Sequence, residues 1–213
     1  MQSVVSPFIP FPNIYWWSVV LAAGNVCFDR GEHFAKMSYR NRYYITGGNG
    51  LIQLNVPLTK GREQRTAMGG VGISNKENWQ VQHWRTLVSV YNRSPYFQHY
   101  ELSLKEVFER EFTSLADFNL ASIEWLRKQL KADIQVSFAD SFQKDYGAGY
   151  IDLRHMKPGI EREPVIDAPY YQAFNERNGF LPNLSMLDLL FAEGPYAVRW
   201  LRAHKDMVDT WVS

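Results

Sequence analysis

Two short strand-like runs, Val4 to Ile9 and Asn25 to Asp29, flank an apolar stretch that carries a stop signal at each end. No other feature constrains the fold as much. Asn13 has the side-chain oxygen that an N-cap needs, and Gly24 can take the left-handed conformation that ends a helix. The predicted order is strand, helix, strand, with a helix long enough to cross over between parallel neighbours.

Further along, Arg40 to Thr46 and Leu51 to Pro57 flank Gly47-Gly48-Asn49-Gly50, residues that accept positive φ and so predict a β-hairpin. Gly69 to Ile73 reads as another strand. From Trp79 to Tyr91 the period changes, and Trp84, Leu87, Val88 and Tyr91 fall on one helical face. Ser103 with Glu106 reads as a capping box for a short helix, and Ser114 with Asp117 as one for a longer helix reaching about Leu130. Ile134 to Phe138 and Gly149 to Arg154 read as strands. Asn183 is placed to cap a helix from Leu184 to Glu193, with Gly194 as its stop and Pro195 starting a last helix. The fold expected is α/β: a single domain over residues 1–213, with a mixed central sheet, a β-hairpin and flanking helices.

Composition narrows the function. Of 213 residues, 46% are apolar and 21% charged, which is the balance of a globular chain. A formal net charge of +1 gives no global field to recruit nucleic acid or an anionic membrane, so neither partner is expected. The lone cysteine, Cys27, excludes an internal disulfide framework. The apolar stretch Asn13 to Ala23 has no basic residue ahead of it, and no run reaches the length of a membrane span. The expectation is a cytoplasmic protein with a small-molecule substrate and no membrane span. No Walker A sequence, nucleophile elbow or metal-binding helix is present, and the five histidines never fall at ligand spacing. No cofactor is assigned, and no metal site.

What remains is a set of polar residues with two readings each. If Arg40 and Arg42 lie on one strand, they project from the same face, with Tyr39, Asn41 and Tyr43 on the other. With Lys36 nearby, they would suit phosphate or carboxylate recognition; the other reading is a solvated face, with Glu32 paired to one arginine. Lys60, in Lys60-Gly61-Arg62, either extends that anion site or sits in an exposed loop. His83 is either a hydrogen-bonded boundary residue or a general base. Asp188, set among Leu187, Leu189 and Leu190, needs a partner: loop amides or an arginine, unless it is a base with a raised pKa.

Several of these stretches resemble the WbqC-like family, in particular its Bacteroidetes-type versions. The resemblance runs through Lys36-Met37-Ser38-Tyr39-Arg40-Asn41-Arg42 and the hairpin into Val56-Pro57. It continues in Asn78-Trp79 through His83-Trp84 to Tyr91, in Ser94-Pro95-Tyr96-Phe97, and in Phe180-Leu181-Pro182-Asn183 through Asp188 to Phe191. The usual His-Gln-Pro stretch near the N-terminus is replaced here by Phe8-Ile9-Pro10-Phe11-Pro12. The resemblance implies a role in O-antigen or other surface-polysaccharide biosynthesis, with transfer of glycine to a sugar as one suggested reaction. On that footing Lys36, Arg40, Asn41, Arg42, Lys60 and Asn183 would bind a sugar or nucleotide-sugar, and Asp188 or His83 would activate the acceptor. The alternative is a protein of the same pathway that binds a nucleotide-sugar or a partner without catalysis.

Overall fold

Asn13 caps the first helix as its position predicts, its Oδ1 accepting from the Trp16 N–H at 2.9 Å, and Gly24 closes that helix at φ +73°. These details come from a computed structural model that describes residues 2–59, 66–139, 141–158, 166 and 168–205. The helix, α1 (Ile14–Ala23), joins β1 (Ser3–Ser6) to β2 (Asn25–Phe28), and the two strands are parallel. β5 (Gln135–Phe138) adds outside β2, and β6 (Tyr150–Asp152) adds on the other side of β1, both in parallel. The sheet order is therefore β5-β2-β1-β6. The predicted hairpin forms its own antiparallel pair, β3 (Arg42–Ile45) with β4 (Ile52–Asn55). Helices α2 (Trp79–Tyr91), α3 (Phe97–Glu109) and α4 (Leu115–Gln129) lie in the long connection to β5. The single turn α5 (Asn175–Asn178), then α6 (Met186–Glu193) and α7 (Ala197–Ala203), follow β6. This is the expected α/β class with a central sheet, a hairpin and flanking helices. No helix among the described residues is long and apolar enough to cross a membrane.

Burial follows chemistry. Val4 and Val5 of β1 are covered on both faces, which is why a β-branched run without alternation forms this strand. Trp16 and Trp17 of α1 are wholly buried and meet edge to face at 5.0 Å between ring centres.

Four local expectations are corrected. Ser103 lies inside α3 and caps nothing; its Oγ donates to the Tyr100 carbonyl and accepts from Trp125 Nε1. On α2 the buried stripe is Trp79, His83, Leu87, Val90 and Tyr91, with Trp84 and Val88 only half-buried, because His83 is drawn inward by hydrogen bonds. Gly69–Ile73 is no strand: Met68–Gly70 is a 3-10 turn, followed by isolated bridges at Gly72 and Ile73. Asn183 does not cap its own helix; Ser185 does, its Oγ accepting from the Leu187 N–H.

Gly194, by contrast, ends α6 as predicted. It sits at φ +54°, and a Cβ there would lie 2.4 Å from the Tyr96 ring. Gly194→Ala therefore combines backbone strain with overlap against a ring, and should lower stability by about 2 kcal/mol or more. A urea midpoint unchanged from the parent protein would contradict this.

Candidate functional site

In open parallel sheets the loops that leave the carboxyl ends of the strands diverge where the chain reverses direction across the sheet, and ligands bind in the gap. Here the reversal lies between β1 and β6, since β2 and β5 build to one side of β1 and β6 to the other. Three loops meet at that edge: Pro7–Asn13 after β1, Asp29–Glu32 after β2, and Leu153–Arg154 after β6.

Buried ion pairs hold the three together. Arg40 and Glu32 are 4% and 3% exposed, with Nε donating to Oε1 at 2.6 Å. Arg40 Nη2 donates to the Arg154 carbonyl at 3.2 Å, so the guanidinium bridges the loops after β2 and β6 across the end of β1. Arg154 in turn pairs with Asp152 at 2.6 Å, approaches Asp29 at 3.7 Å, donates to the Gln143 and Lys144 carbonyls and lies over the Tyr146 ring. Asn119 Nδ2 donates both to the Arg40 carbonyl and to the Phe8 carbonyl, fastening the 3-10 turn Tyr39–Asn41 to the loop after β1. Arg40 and Arg42 consequently do not share a strand face: Arg40 precedes β3 and turns inward.

Beside this network is a small recess of about 10 Å³, lined by Ile9 to Asn13, Tyr39, Tyr43, Tyr44, Asn183 and Ser185. Two helix starts converge on it. Ile14 N–H donates to the Leu184 carbonyl and Met186 N–H to the Pro12 carbonyl, which ties the start of α1 to the start of α6. Asn183 Oδ1 accepts from the Tyr15 N–H at 3.0 Å, so this residue caps α1 from across the recess. Phe11 and Asn183 both hold positive φ, at 41° and 54°. For residues other than glycine this conformation is costly, and it collects at functional sites. Both asparagine amide nitrogens, Asn13 Nδ2 and Asn183 Nδ2, are buried without a partner.

The other predicted residues fall in different places. Arg42, half-buried at the start of β3, has a buried Nε without a partner, and it shares a strand face with Tyr44, which lines the recess. Lys36 is exposed. Asn41 serves the hairpin, its Nδ2 donating to the Val56 carbonyl. Lys60 lies outside the described residues.

His83 is buried, with Nε2 3.0 Å from the Asn55 carbonyl and Nδ1 3.1 Å from the Tyr43 hydroxyl. A carbonyl oxygen only accepts, so Nε2 carries the proton and Nδ1 accepts from Tyr43. Burial lowers its pKa to about 4, against a single favourable bond to the Asn55 backbone. Asp188 is buried too. Its Oδ1 accepts from the Tyr91 hydroxyl at 2.6 Å, and its Oδ2 from the Tyr170 hydroxyl at 2.6 Å and from Gln172 Nε2 at 3.1 Å. Burial raises its carboxyl to about 6, partly offset by those three bonds. Its partners are thus a pair of tyrosines and a glutamine, and among the described residues no arginine pairs with it. Each of these two groups is closed off by its own neighbours. Among the described residues no cluster of three His, Cys, Asp or Glu could hold a metal ion.

Sequence reasoning missed the recess itself. Asn13 carried only the signal of a helix cap, and nothing local shows that its amide nitrogen is left over once the oxygen is used. The pairing of Glu32 with an arginine, expected as part of a solvated face, is present in the structure, but both partners are buried and the face is not solvated.

Compared with known proteins, residues 6–152 match the model of the WbqC-like protein family. The match runs from the last residue of β1 to the end of β6, and takes in the loops after β1 and β2. No curated protein and no solved structure matches the chain.

Proposed function

The chain therefore belongs to the WbqC-like protein family, and from that premise we propose that it works in the assembly of bacterial surface polysaccharide. It binds an activated, phosphate-bearing sugar-type donor at the carboxyl edge of the sheet and serves a transfer reaction, such as that of glycine to a sugar. One observation supports this reading above the others: Asn13 and Asn183 line a recess at the switch point, where ligands bind in a sheet of this kind, and each holds a buried amide nitrogen without a partner. Among the described residues of the candidate set, Arg42 and Lys36 are the cations left to meet phosphates, since Arg40 is committed to Glu32.

A second reading, binding without turnover, is favoured by His83 and Asp188. A general base needs a lone pair directed at substrate, and both residues already spend theirs on protein donors.

A thermal-shift screen of nucleotide-sugars, nucleotides and sugar phosphates tests the binding. A ligand at 100 times its dissociation constant adds about 2.7 kcal/mol to stability. Arg42→Ala is expected to weaken a genuine hit on the order of 10–100-fold, the loss of one charge-assisted bond, while the unliganded melt stays within about 1 kcal/mol. A hit with undiminished affinity in that variant would remove Arg42 from the site. Consumption of a bound donor together with an acceptor separates the transferase from the binder.

A further inference from the structure

We infer that the chain forms a two-fold dimer through the outer edge of β5, with Ser137 of each copy at the axis and the two parallel sheets joined, antiparallel, into one continuous sheet.

The sheet order leaves β5 and β6 outermost, and the two edges differ. On β6 the outward row is spent or charged. The Tyr150 N–H donates to the Gly147 carbonyl, the Arg154 N–H donates to Asp152 Oδ1, and Asp152 itself stands on the strand. Charge on an edge strand is one of the devices that keep edges from pairing. β5 has no such device. Ile134 to Phe138 contains no charged residue, proline or glycine, and its register with β2 runs without a bulge. Towards β2 the Gln135 and Ala139 N–H groups donate to the Gly24 and Phe28 carbonyls. Alternate residues of a parallel ladder face the same neighbour, so the N–H and C=O groups of Val136 and Phe138 point outward. Among the described residues none of these groups has a partner. Ser137 is exposed on one face of the sheet. Phe138, on the other, is 44% exposed and held in place by the Arg30 guanidinium, 5.2 Å from its ring centre.

What fits this row is the row itself. Antiparallel pairing about Ser137 sets Val136 opposite Phe138 of the second copy, and Phe138 opposite its Val136. Both are hydrogen-bonded positions, so each pair exchanges two N–H···O bonds. The same register lays the exposed part of Phe138 on the half-buried Val136, and an aromatic residue against a β-branched one is a favourable cross-strand pair. Ser137 meets Ser137, with no charge to repel. An axis at Val136 would instead set Phe138 against Ile134, which is 4% exposed and has no surface left to receive it. A two-fold contact needs a self-complementary patch, and this edge is one. Because the copies run in opposite directions, the carboxyl edges lie at opposite ends of the joined sheet, and both candidate sites stay open.

The test is sedimentation equilibrium of the full chain over a wide range of concentration. The expected result is a mass that rises from one chain to two. Ser137→Lys gives up inside the chain only a 3.4 Å bond from Oγ to the Val26 carbonyl, but it sets two ammonium groups face to face at the axis. It should weaken the dimer at least about tenfold, and Ser137→Glu should do the same. An equimolar mixture of the two variants should associate again, because opposite charges then meet. A cross-link checks the register without relying on charge. Opposed residues at a non-hydrogen-bonded position have Cα atoms about 4.5 Å apart, within reach of a disulfide. Cys27 is the ladder neighbour of Ser137 and would compete, so Ser137→Cys is made together with Cys27→Ser. This variant should link into a covalent dimer on mild oxidation. Gln135→Cys in the same background lies roughly 14 Å along the strand from its counterpart and should stay unlinked. A parent protein that remains monomeric throughout the range would overturn the inference. So would a dimer indifferent to Ser137→Lys, a mixture that does not associate, or equal cross-linking at positions 135 and 137.

Discussion

Arg40→Ala is expected to cost about 3–5 kcal/mol of stability, because it strands a buried carboxylate. Domains of this kind have only about 5–15 kcal/mol in total, so the variant should be largely unfolded at moderate temperature. Glu32 and Arg40 are both shut away from water and meet at 2.6 Å. Burial pushes the Glu32 carboxyl upward even with Arg40 and Arg154 pulling it down, so removal of Arg40 leaves a charge with too little compensation. The loss also frees the Arg154 carbonyl and slackens the tie between the loops after β2 and β6. A double variant, Glu32→Gln with Arg40→Met, should recover much of the loss, giving a coupling energy of about 2 kcal/mol or more in a denaturation cycle. A near-normal denaturant midpoint for Arg40→Ala, with ligand binding abolished, would mean that the guanidinium serves ligand and not fold.

The second large effect is one of pH. The Asp188 carboxyl rises from 3.8 to about 6 on folding. Between those values the native protein holds a proton that the unfolded chain has released. Asp188 therefore contributes most stability below pH 3.8, and the contribution is lost as pH rises through 6. His83 falls from 6.5 to about 4. Here the unfolded chain takes up a proton that the native protein refuses. The His83 contribution is complete above pH 6.5 and is lost as pH falls through 4. Each amounts to on the order of 3 kcal/mol, and the two gradients run in opposite directions over nearly the same window.

In the parent protein these contributions nearly cancel between pH 4 and 6. Asp188→Asn should expose the histidine, giving a protein that loses on the order of 3 kcal/mol relative to the parent's pH profile on going from pH 6.5 to 4. His83→Gln should show the opposite slope, gaining stability on acidification. Glu32, whose carboxyl is raised by burial, and Asp152, which is lowered because bonds from Arg154 outweigh its burial, add their own slopes to every curve and drop out of the differences. Denaturant midpoints across that pH range decide the matter. Parallel profiles for parent and variants would show that neither group titrates in the folded protein as described.

The two predictions concern residues that stood in the sequence as candidates for chemistry, and the contrast shows where local reading succeeds. Asn13, Gly24, Ser114 and Gly194 do what their neighbours within one helical turn require, so α1, α4 and the end of α6 were legible. The hairpin followed from Gly47 to Gly50 in the same way. Asp188 was recognisable as a polar residue in need of partners because leucines surround it. Its partners were not, since Tyr91 lies 97 positions away and Tyr170 18 away. Asn183 sits one turn ahead of a helix it does not cap and bonds a helix start 168 positions earlier. Arg40 turned inward for a similar reason: a 3-10 turn ahead of β3, fastened by Asn119, reversed the side that strand alternation assigned to it. The recess combines these failures. Each wall comes from a different part of the chain, and its leftover donors exist only after the helices have docked.

The order of the strands also sets a tempo for how the molecule comes into being. β1 finds β2 within the first few dozen residues, Val4 lying opposite Val26, but its other edge waits for Ile151. At about 5–20 residues per second, a growing chain exposes that edge for roughly 6–25 s before β6 is even synthesised. Throughout that time a strand with Val4 and Val5 at its centre offers an open row of backbone donors and acceptors to any neighbour. Yield of the native protein should therefore respond to the speed of translation and to whatever shields β1 in the interval, even in variants whose finished sheet is no less stable than the parent's.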